Sequence, residues 1–443
     1  MKILHSLREN ALEIFYAGLQ AVEPESCLQQ HIRLFEHNLL KIGETIYDLN
    51  AFKNIYVIGF GKASGFMASA LEKLLQERIT GGIVTVRYGY TATCNRIKVQ
   101  EAGHPIPDYT GIKSTEEILR FLQNVKERDL VFCLISGGGS ALFESPCEGI
   151  TLEDIQTLNE LLLKSGAKIQ EINAIRKHVS KVKGGQLARV CKGRITSLIL
   201  SDVENDSPDT IASGPTSPDY STFLDCKKIL SKYGLLQKIP VSISKHIQKG
   251  LDGITEETPK TDNPVFNRVH NVIIGNNRIA LYESYKKAKE LGYHTSILTS
   301  NIKGEAREVA KVFGAIAKEI HVSGNPVKRP ACIIAGGETT VTVKGNGVGG
   351  RSQEFALSAA VEIDTLMNTI ILSAGTDGTD GNTDAAGAFA DNSTVSRARQ
   401  KMMDPEIYLA DNNSYAFFKQ LNDHIITGPT KTNVMDILIL LIK

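Results

Sequence analysis

The sequence predicts an α/β protein of two domains with largely parallel, Rossmann-like sheets. Short apolar runs rich in β-branched residues alternate with helical periodicities along the whole chain. Several of these runs lead straight into a glycine turn and then a helix start, as in Val57-Ile58-Gly59-Phe60-Gly61-Lys62. The alternation restarts after residues 253–264, a stretch of Asp, Glu and Thr with two prolines that reads as a linker. The domains expected are therefore residues 1–252 and 265–443.

Composition narrows the functional classes. A net charge of +1, with no basic stripe or run of like charges, argues against nucleic acid or an anionic membrane as partner. Seven cysteines with no CxxC or zinc spacing fit reduced cytoplasmic thiols better than a disulfide framework. The opening residues lack the apolar core and cleavage site of a signal peptide. The apolar run Ile437 to Ile442 suits a buried strand and is far too short to span a bilayer.

Taken in order, residues 6–22 have helical periodicity, and a second helix is expected over 26–37. Short strands follow near Leu40–Ile42 and Thr45–Leu49. Ile55–Ile58 reads as a buried parallel strand, with a helix from Lys62 through Met67–Leu75. Gly82–Val86 and Ile97–Ala102 are further strands. The second ends in the turn Gly103-His104-Pro105-Ile106-Pro107-Asp108, where a lone histidine reads as structural. A helix near 111–124 precedes the strand Leu130–Ile135. Residues 151–190 are helical in three pieces, broken at Gly166 and Gly184-Gly185. The basic residues Arg176, Lys177, His178, Lys181 and Lys183 read there as a solvated face. The strand Ile195–Leu200 and helices near 221–233 and 241–250 lead to the linker. Beyond it come strands at Val272–Ile274, His294–Leu298, Ala331–Ala335, Thr369–Leu372 and Asp436–Ile442. They are interleaved with helices at Asn276–Leu291, Gly304–Ile320, Phe355–Val361 and 413–421.

The turns at strand ends carry the candidate chemistry. Gly59 and Gly61 let backbone approach a bound group, and Lys62 adds a full charge at a helix amino end. Walker A does not fit, because Tyr56 stands at its first glycine and Ala63 at its Ser/Thr. A dinucleotide fingerprint has its third glycine one residue late, at Gly65. A tight turn with a solvated lysine is the third reading. Ser136, Gly137, Gly138, Gly139 and Ser140 form a second cradle for an anion after a core strand. Asp202 and Asp206 follow a strand's carboxyl end and suit Mg²⁺ held partly through water, or local turn bonds. Gly336 and Gly337 precede Glu338 in a further strand-end turn. Gly349-Gly350-Arg351 places a cation at a helix start, as Lys62 does. Asp377, Asp380 and Asp384 resemble a calcium loop only superficially, since no helix precedes them and no glutamate closes them.

Read together, these loops resemble one family, the glycerate 2-kinases whose C-terminal part is called the MOFRL domain. The resemblance runs through Gly59-Phe60-Gly61-Lys62-Ala63, Ser136 to Ala141, Asn173-Ala174-Ile175-Arg176-Lys177-His178 with Lys183-Gly184-Gly185, and Ser201-Asp202-Val203. It continues through Ile211 to Thr216, Gly336 to Thr340, Gly349-Gly350-Arg351, Gly375-Thr376-Asp377-Gly378, Asp384 to Gly387, Gly428-Pro429-Thr430 and Thr432-Asn433-Val434. It covers nearly the whole chain in order. The resemblance implies two α/β domains around a deep cleft, and phosphorylation of D-glycerate at its 2-hydroxyl by ATP with Mg²⁺. It makes Lys62 and Arg351 the functional pair. Asn205, Ser352, Lys431 and Met435 depart from the family's usual Gly, Asn, Gly and Asn. A homodimer is compatible with this reading.

On these grounds Lys62 and Arg351 are the expected catalytic cations. The nucleotide and substrate are expected at Gly59, Gly61, Ser136–Ser140, Gly336, Gly337 and Gly350. Asp202 or Asp206, with Glu338 or Asp377, is expected to anchor Mg²⁺. Two rivals stand beside this reading. An NAD(P)-dependent hydroxypyruvate reductase would use the first loop for pyrophosphate and Arg87 for a 2′-phosphate. A non-catalytic sensor of sugar phosphates or carboxylates would have no need of the acidic clusters.

Overall fold

The structure, a computed structural model, describes residues 2–443. Its contacts divide the chain into two compact units. One comprises residues 27–274; the other comprises 275–443 together with the segment ending at Ser26.

The N-terminal unit opens with a small antiparallel meander of β1 (Ile32–Leu34), β2 (Leu39–Ile42) and β3 (Thr45–Asp48). A helix was expected over 26–37, but it stops at His31. The next three residues instead pair with β2, with Ile32 opposite Ile42 and both buried. Tertiary pairing overrides a weak helical periodicity there. The main sheet consists of β4 (Asn54–Phe60), β5 (Gly81–Arg87), β6 (Ile97–Ala102), β7 (Asp129–Ile135), β8 (Arg194–Leu200) and β9 (Val269–Gly275), in the order β6-β5-β4-β7-β8-β9. The pairs from β6 across to β8 are parallel. All seven positions of β7 are buried, as expected of a central strand covered on both faces. Phe60 stacks on Phe143 with ring centroids 4.0 Å apart.

This order reverses direction between β4 and β7. Open α/β sheets bind ligands outside the carboxyl ends of their strands at such a switch point. Both N-terminal glycine turns leave the sheet there. The strand predicted at Val272–Ile274 is not the start of a second sheet. It is β9, on the edge of the first, where the Asn271 amide donates to Thr216 O at 3.1 Å.

In the other unit the sheet contains β10 (His294–Ile302), β11 (Ala331–Gly337), β12 (Thr369–Gly375), β13 (Gly387–Asp391), β14 (His424–Ile425) and β15 (Asp436–Ile442), in the order β10-β11-β15-β12-β13-β14. The α/β class holds, but this sheet is not largely parallel. Among the neighbouring pairs of the described residues only β10–β11 is parallel, and β15 inserts antiparallel to both β11 and β12. A continuous apolar run marks a buried central strand without giving its direction. The helix Lys2–Ala21, expected with the first domain, packs in this unit. Leu7, Ala11, Ile14 and Phe15 are fully buried, Ser284 Oγ donates to Ile14 O at 2.9 Å, and Arg8 Nε donates to Asp391 at 3.0 Å. No helix among the described residues is long and apolar enough to cross a membrane.

Candidate active site

The two turns at the switch point are built against each other. Gly61 has φ +128, and a Cβ there would lie 2.3 Å from Ser136 Oγ, so only glycine fits. The Gly61 N–H donates to Thr85 O at 3.1 Å, Lys62 N–H to Gly137 O at 2.9 Å, and Ala63 N–H to Ser136 Oγ at 3.0 Å. The first turn was expected to cradle an anion with its backbone. The Lys62 and Ala63 amides instead brace the second turn, the Gly61 amide is taken by β5, and the helix begins at Ser64 rather than Lys62. Gly59 sits within β4, where a Cβ would come 2.8 Å from Leu134 O. Close strand packing therefore accounts for Gly59.

The second turn has the opposite character. Gly138 has φ +82, and Gly139 N–H donates to Ser136 O at 3.3 Å. Among the described residues, the N–H groups of Gly137, Gly138 and Ser140 donate to no protein acceptor. Successive amides around a left-handed residue form an anion-binding nest. A Cβ on Gly138 would lie 2.9 Å from the His104 ring and 3.4 Å from Lys62 Cγ, so both side chains flank the nest. Ser140 Oγ meets Ser213 Oγ at 2.9 Å, and Ser213 Oγ donates to Asn173 Oδ1 at 3.1 Å. Ala212, Ser213 and Gly214 are all left-handed, at φ 51, 61 and 64. A non-glycine residue there costs about 1–2 kcal/mol, a strain that clusters at ligand sites. Gly184 N–H and Gly185 N–H hold that turn through Ser213 O and Gly214 O at 2.9 and 2.8 Å.

The basic residues expected on a solvated face are mostly buried and paired; of them only Lys181 is exposed. Lys183 donates to Glu144 at 2.7 Å and to Phe143 O at 2.8 Å. Lys177 reaches Asp219 at 3.3 Å, and His178 Nε2 reaches Glu257 at 2.9 Å. Burial pushes the Asp219 carboxyl up, but Lys177 and His178 outweigh it and hold the group below its ordinary value. Glu257 is pushed down to about 2: against its partial burial act the His178 hydrogen bond, the Phe223 amide and Lys260. The network supports the nest from behind, because Phe143 and Glu144 directly follow the short helix Gly139–Leu142. Asp202 and Asp206 lie partly buried beyond β8, where Asn205 and Asp206 adopt φ 57 and 52.

In the C-terminal unit, Gly336 and Gly337 close β11 under tight contact. A Cβ would fall 2.0 Å from Asn277 Oδ1 and 2.3 Å from Ile302 N, respectively. Gly350 is extended, and its Cβ would lie 2.3 Å from Asp380. The Asp380 carboxylate accepts from Ser352 N–H at 3.1 Å and from Gln353 N–H at 2.8 Å. The anion at this helix start is thus the protein's own. Burial raises the Asp380 pKa to about 6 against the pull of those amides. Arg351 grips Asp436 through Nε at 2.6 Å and Nη2 at 2.9 Å, and Nη1 meets Glu338 at 2.6 Å. Burial lowers the Arg351 pKa, but the two carboxylates more than offset it and the net shift is upward. Asp377 Oδ1 accepts from Thr379 N–H and Oγ, both at 3.1 Å, the local turn its spacing allowed. Among the described residues no three His, Cys, Asp or Glu side chains gather around a common point.

The structure thus brings Lys62 to the Ser136–Ser140 nest, and Glu338 to Arg351. Sequence reasoning did not assign His104, Asn173, Ser213, Asp380 or Asp436 to these sites. A signal existed for Asp380, one of three aspartates in a glycine-rich loop. None existed for Asp436, which reads as the first residue of an apolar strand.

Residues 10–248 match the family described as Domain of unknown function (DUF4147), and residues 331–436 match the MOFRL family. The chain is 43% identical to "Glycerate 2-kinase" of Pyrococcus horikoshii, over 99% of this chain and 98% of that protein. It is 42% identical to "D-glycerate 2-kinase" of Thermotoga maritima, over 99% of both. The crystal structure of a Thermotoga maritima glycerate kinase superposes with a TM-score of 0.86 at 41% identity, covering 99% of this chain and 100% of the other.

Proposed function

The chain belongs to the glycerate kinase family, and on that premise we propose that it transfers a phosphoryl group from ATP to the 2-hydroxyl of D-glycerate, giving 2-phosphoglycerate and ADP. One observation carries the reading at the level of chemistry: a nest of open amides at the switch point, with Lys62 alongside. Phosphoryl transfer needs phosphate oxygens stabilised and reactants aligned, with little covalent help. The Gly137, Gly138 and Ser140 amides suit phosphate oxygens, and Lys62 suits the group in transfer as a compact charge that can follow it. Arg351 acts on glycerate's carboxylate or on charge developing in transfer. Its commitment to Asp436 and Glu338 favours the second role.

Mg²⁺ usually binds through one or two carboxylates plus substrate phosphates, so a three-residue cluster is not required. Asp202 and Asp206 suit that donor set by their place, because they follow the carboxyl end of β8, on the sheet that carries the nest. When bound, Mg²⁺ would neutralise phosphate oxygens. All seven cysteines are free thiols, which supports a cytoplasmic setting.

The reductase reading loses its main support, since the first-turn amides that would hold a pyrophosphate already donate to Thr85, Gly137 and Ser136. The test is purified protein with ATP, Mg²⁺ and D-glycerate, followed by a coupled ADP assay and product identification. 2-Phosphoglycerate is expected. 3-Phosphoglycerate, no phosphorylated product, or NADPH oxidation with hydroxypyruvate would overturn the proposal.

A further inference from the structure

The helix Ile169–His178 presents two polar side chains one turn apart, Asn173 and Arg176. Asn173 takes the hydrogen bond from Ser213, which in turn holds Ser140 of the nest. Arg176 is half-buried, and its Nε donates to Asn159 Oδ1 at 2.7 Å. Among the described residues, no acceptor takes a hydrogen bond from either Nη, and no carboxylate forms an ion pair with the guanidinium. The charge acting on it favourably is Glu144, whose Oε2 is held by Lys183 at 2.7 Å. Burial therefore lowers the Arg176 pKa, and Glu144 offsets this only in part. Arg176 and Lys183 together set two cations against one carboxylate.

A partly desolvated guanidinium fixed at Nε, with both Nη groups open, is prepared for a planar anion gripped by two parallel hydrogen bonds. The local excess of one positive charge matches a single carboxylate. Arg351, by contrast, already holds a carboxylate in that bidentate manner. We propose that Arg176 binds the carboxylate of the acceptor substrate, and so selects a short hydroxy acid over the corresponding neutral polyol. The proposal rests on the reading above that the acceptor is D-glycerate. Lys62 and the nest would then serve the phosphate side, while Arg176 orients the acceptor.

The test compares wild type with Arg176→Gln and Arg176→Lys in steady-state kinetics and in D-glycerate binding by calorimetry. Loss of a bidentate charged contact should raise KM for D-glycerate by about 10²-fold in Arg176→Gln, with KM for ATP changed less than about threefold. Arg176→Lys, which keeps the charge but loses the fork, should fall between. The preference for D-glycerate over glycerol, which carries a CH₂OH in place of the carboxylate, should collapse at least tenfold. An unchanged KM for D-glycerate in a folded variant, or an equal rise in both KM values, overturns the proposal. If Arg176→Gln does not fold, Arg176→Lys alone decides it by the same KM split. If wild type phosphorylates no glycerate, the kinase reading has failed separately. Calorimetry with D-glycerate then judges Arg176: binding lost in the variant supports the proposal, while binding retained, or absent in wild type, overturns it.

Discussion

The Ser136–Ser140 turn and the Gly349–Arg351 turn share a plan. Each joins glycines to a helix start and lies near a cation. Their electrostatic states differ. In the N-terminal unit, three amides of the turn donate to no acceptor among the described residues, and Lys62 runs beside them. In the C-terminal unit, Asp380 caps the helix start, and Arg351 is clamped by Asp436 and Glu338. A glycine turn before a helix is thus only a capacity for anion binding. Whether a ligand or an internal carboxylate fills it depends on residues far away in sequence, 27 and 85 positions on in the two Arg351-side hydrogen-bonded pairs involving Gln353–Asp380 and Arg351–Asp436.

The largest expected effects separate the two cations. Lys62→Ala should lower kcat by about 10²-fold or more, the scale for lost electrostatic stabilisation, and shift the urea midpoint less than Arg351→Ala does. Arg351→Ala should show a comparable loss of kcat together with a loss of about 3–5 kcal/mol in stability, because it strands the buried Asp436 carboxylate. Paired urea titrations and steady-state kinetics check both. Equal midpoints for the two variants would erase the contrast, and near-normal kcat/KM in both would remove their functional role.

A smaller effect tests whether Asp380 is the built-in anion. Its ordinary pKa of 3.8 rises to about 6 in the fold. Between those values the folded chain holds a proton that the unfolded chain has released, so stability falls as pH rises through that window. Above about 6 the loss is complete. Asp380→Asn removes this slope. Each tenfold change in proton affinity is worth about 1.4 kcal/mol, so the variant should gain up to about 3 kcal/mol relative to wild type between pH 4 and 7. Other carboxylates, such as Glu257, titrate alike in both proteins and cancel in the difference. Urea unfolding at pH 4, 5, 6 and 7 measures it, and a flat difference would show that Asp380 is not held as a strained anion.

Much of the N-terminal unit was legible because a parallel sheet writes its strands as apolar runs and its turns as glycines. The Ser136–Ser140 cradle could be read for that reason. Less was legible where partners come from distant segments. The basic stretch 176–183 looked solvated, because the carboxylates that bury it, Glu144, Asp219 and Glu257, lie far from it in sequence. Gly61 looked like a ligand contact, because nothing in sequence shows that Ser136 fills the space where its side chain would stand. The direction of β15 was equally hidden, since a continuous apolar run reads the same in either sense. The departures at Asn205, Lys431 and Met435 proved informative: all three residues adopt left-handed backbone, at φ 57, 69 and 70.

Lys431 allows the finest test of how the C-terminal unit is held. It is exposed, at a position where the family resemblance leads one to expect glycine. Its left-handed φ persists because both flanks are anchored: Thr430 Oγ donates to Thr376 O, and Thr432 Oγ donates to Val22 O at 2.6 Å. Thr376 N–H and Oγ in turn donate to Met435 O at 3.0 and 2.6 Å. A side chain in this conformation costs about 1–2 kcal/mol, and glycine removes that strain. Glycine also frees the unfolded chain, which gives back about 0.4–1 kcal/mol. Lys431→Gly should therefore stabilise the protein by about 0.5–1 kcal/mol, raising Tm by about 1–4 °C for a unit of this size. Met435→Asn relieves the same kind of strain but gives up a buried apolar side chain, so its net effect should be near zero or destabilising. Thermal unfolding of both single variants decides the point. A stability loss in Lys431→Gly would mean that the lysine's own contacts, rather than the anchored threonines, hold this loop in shape.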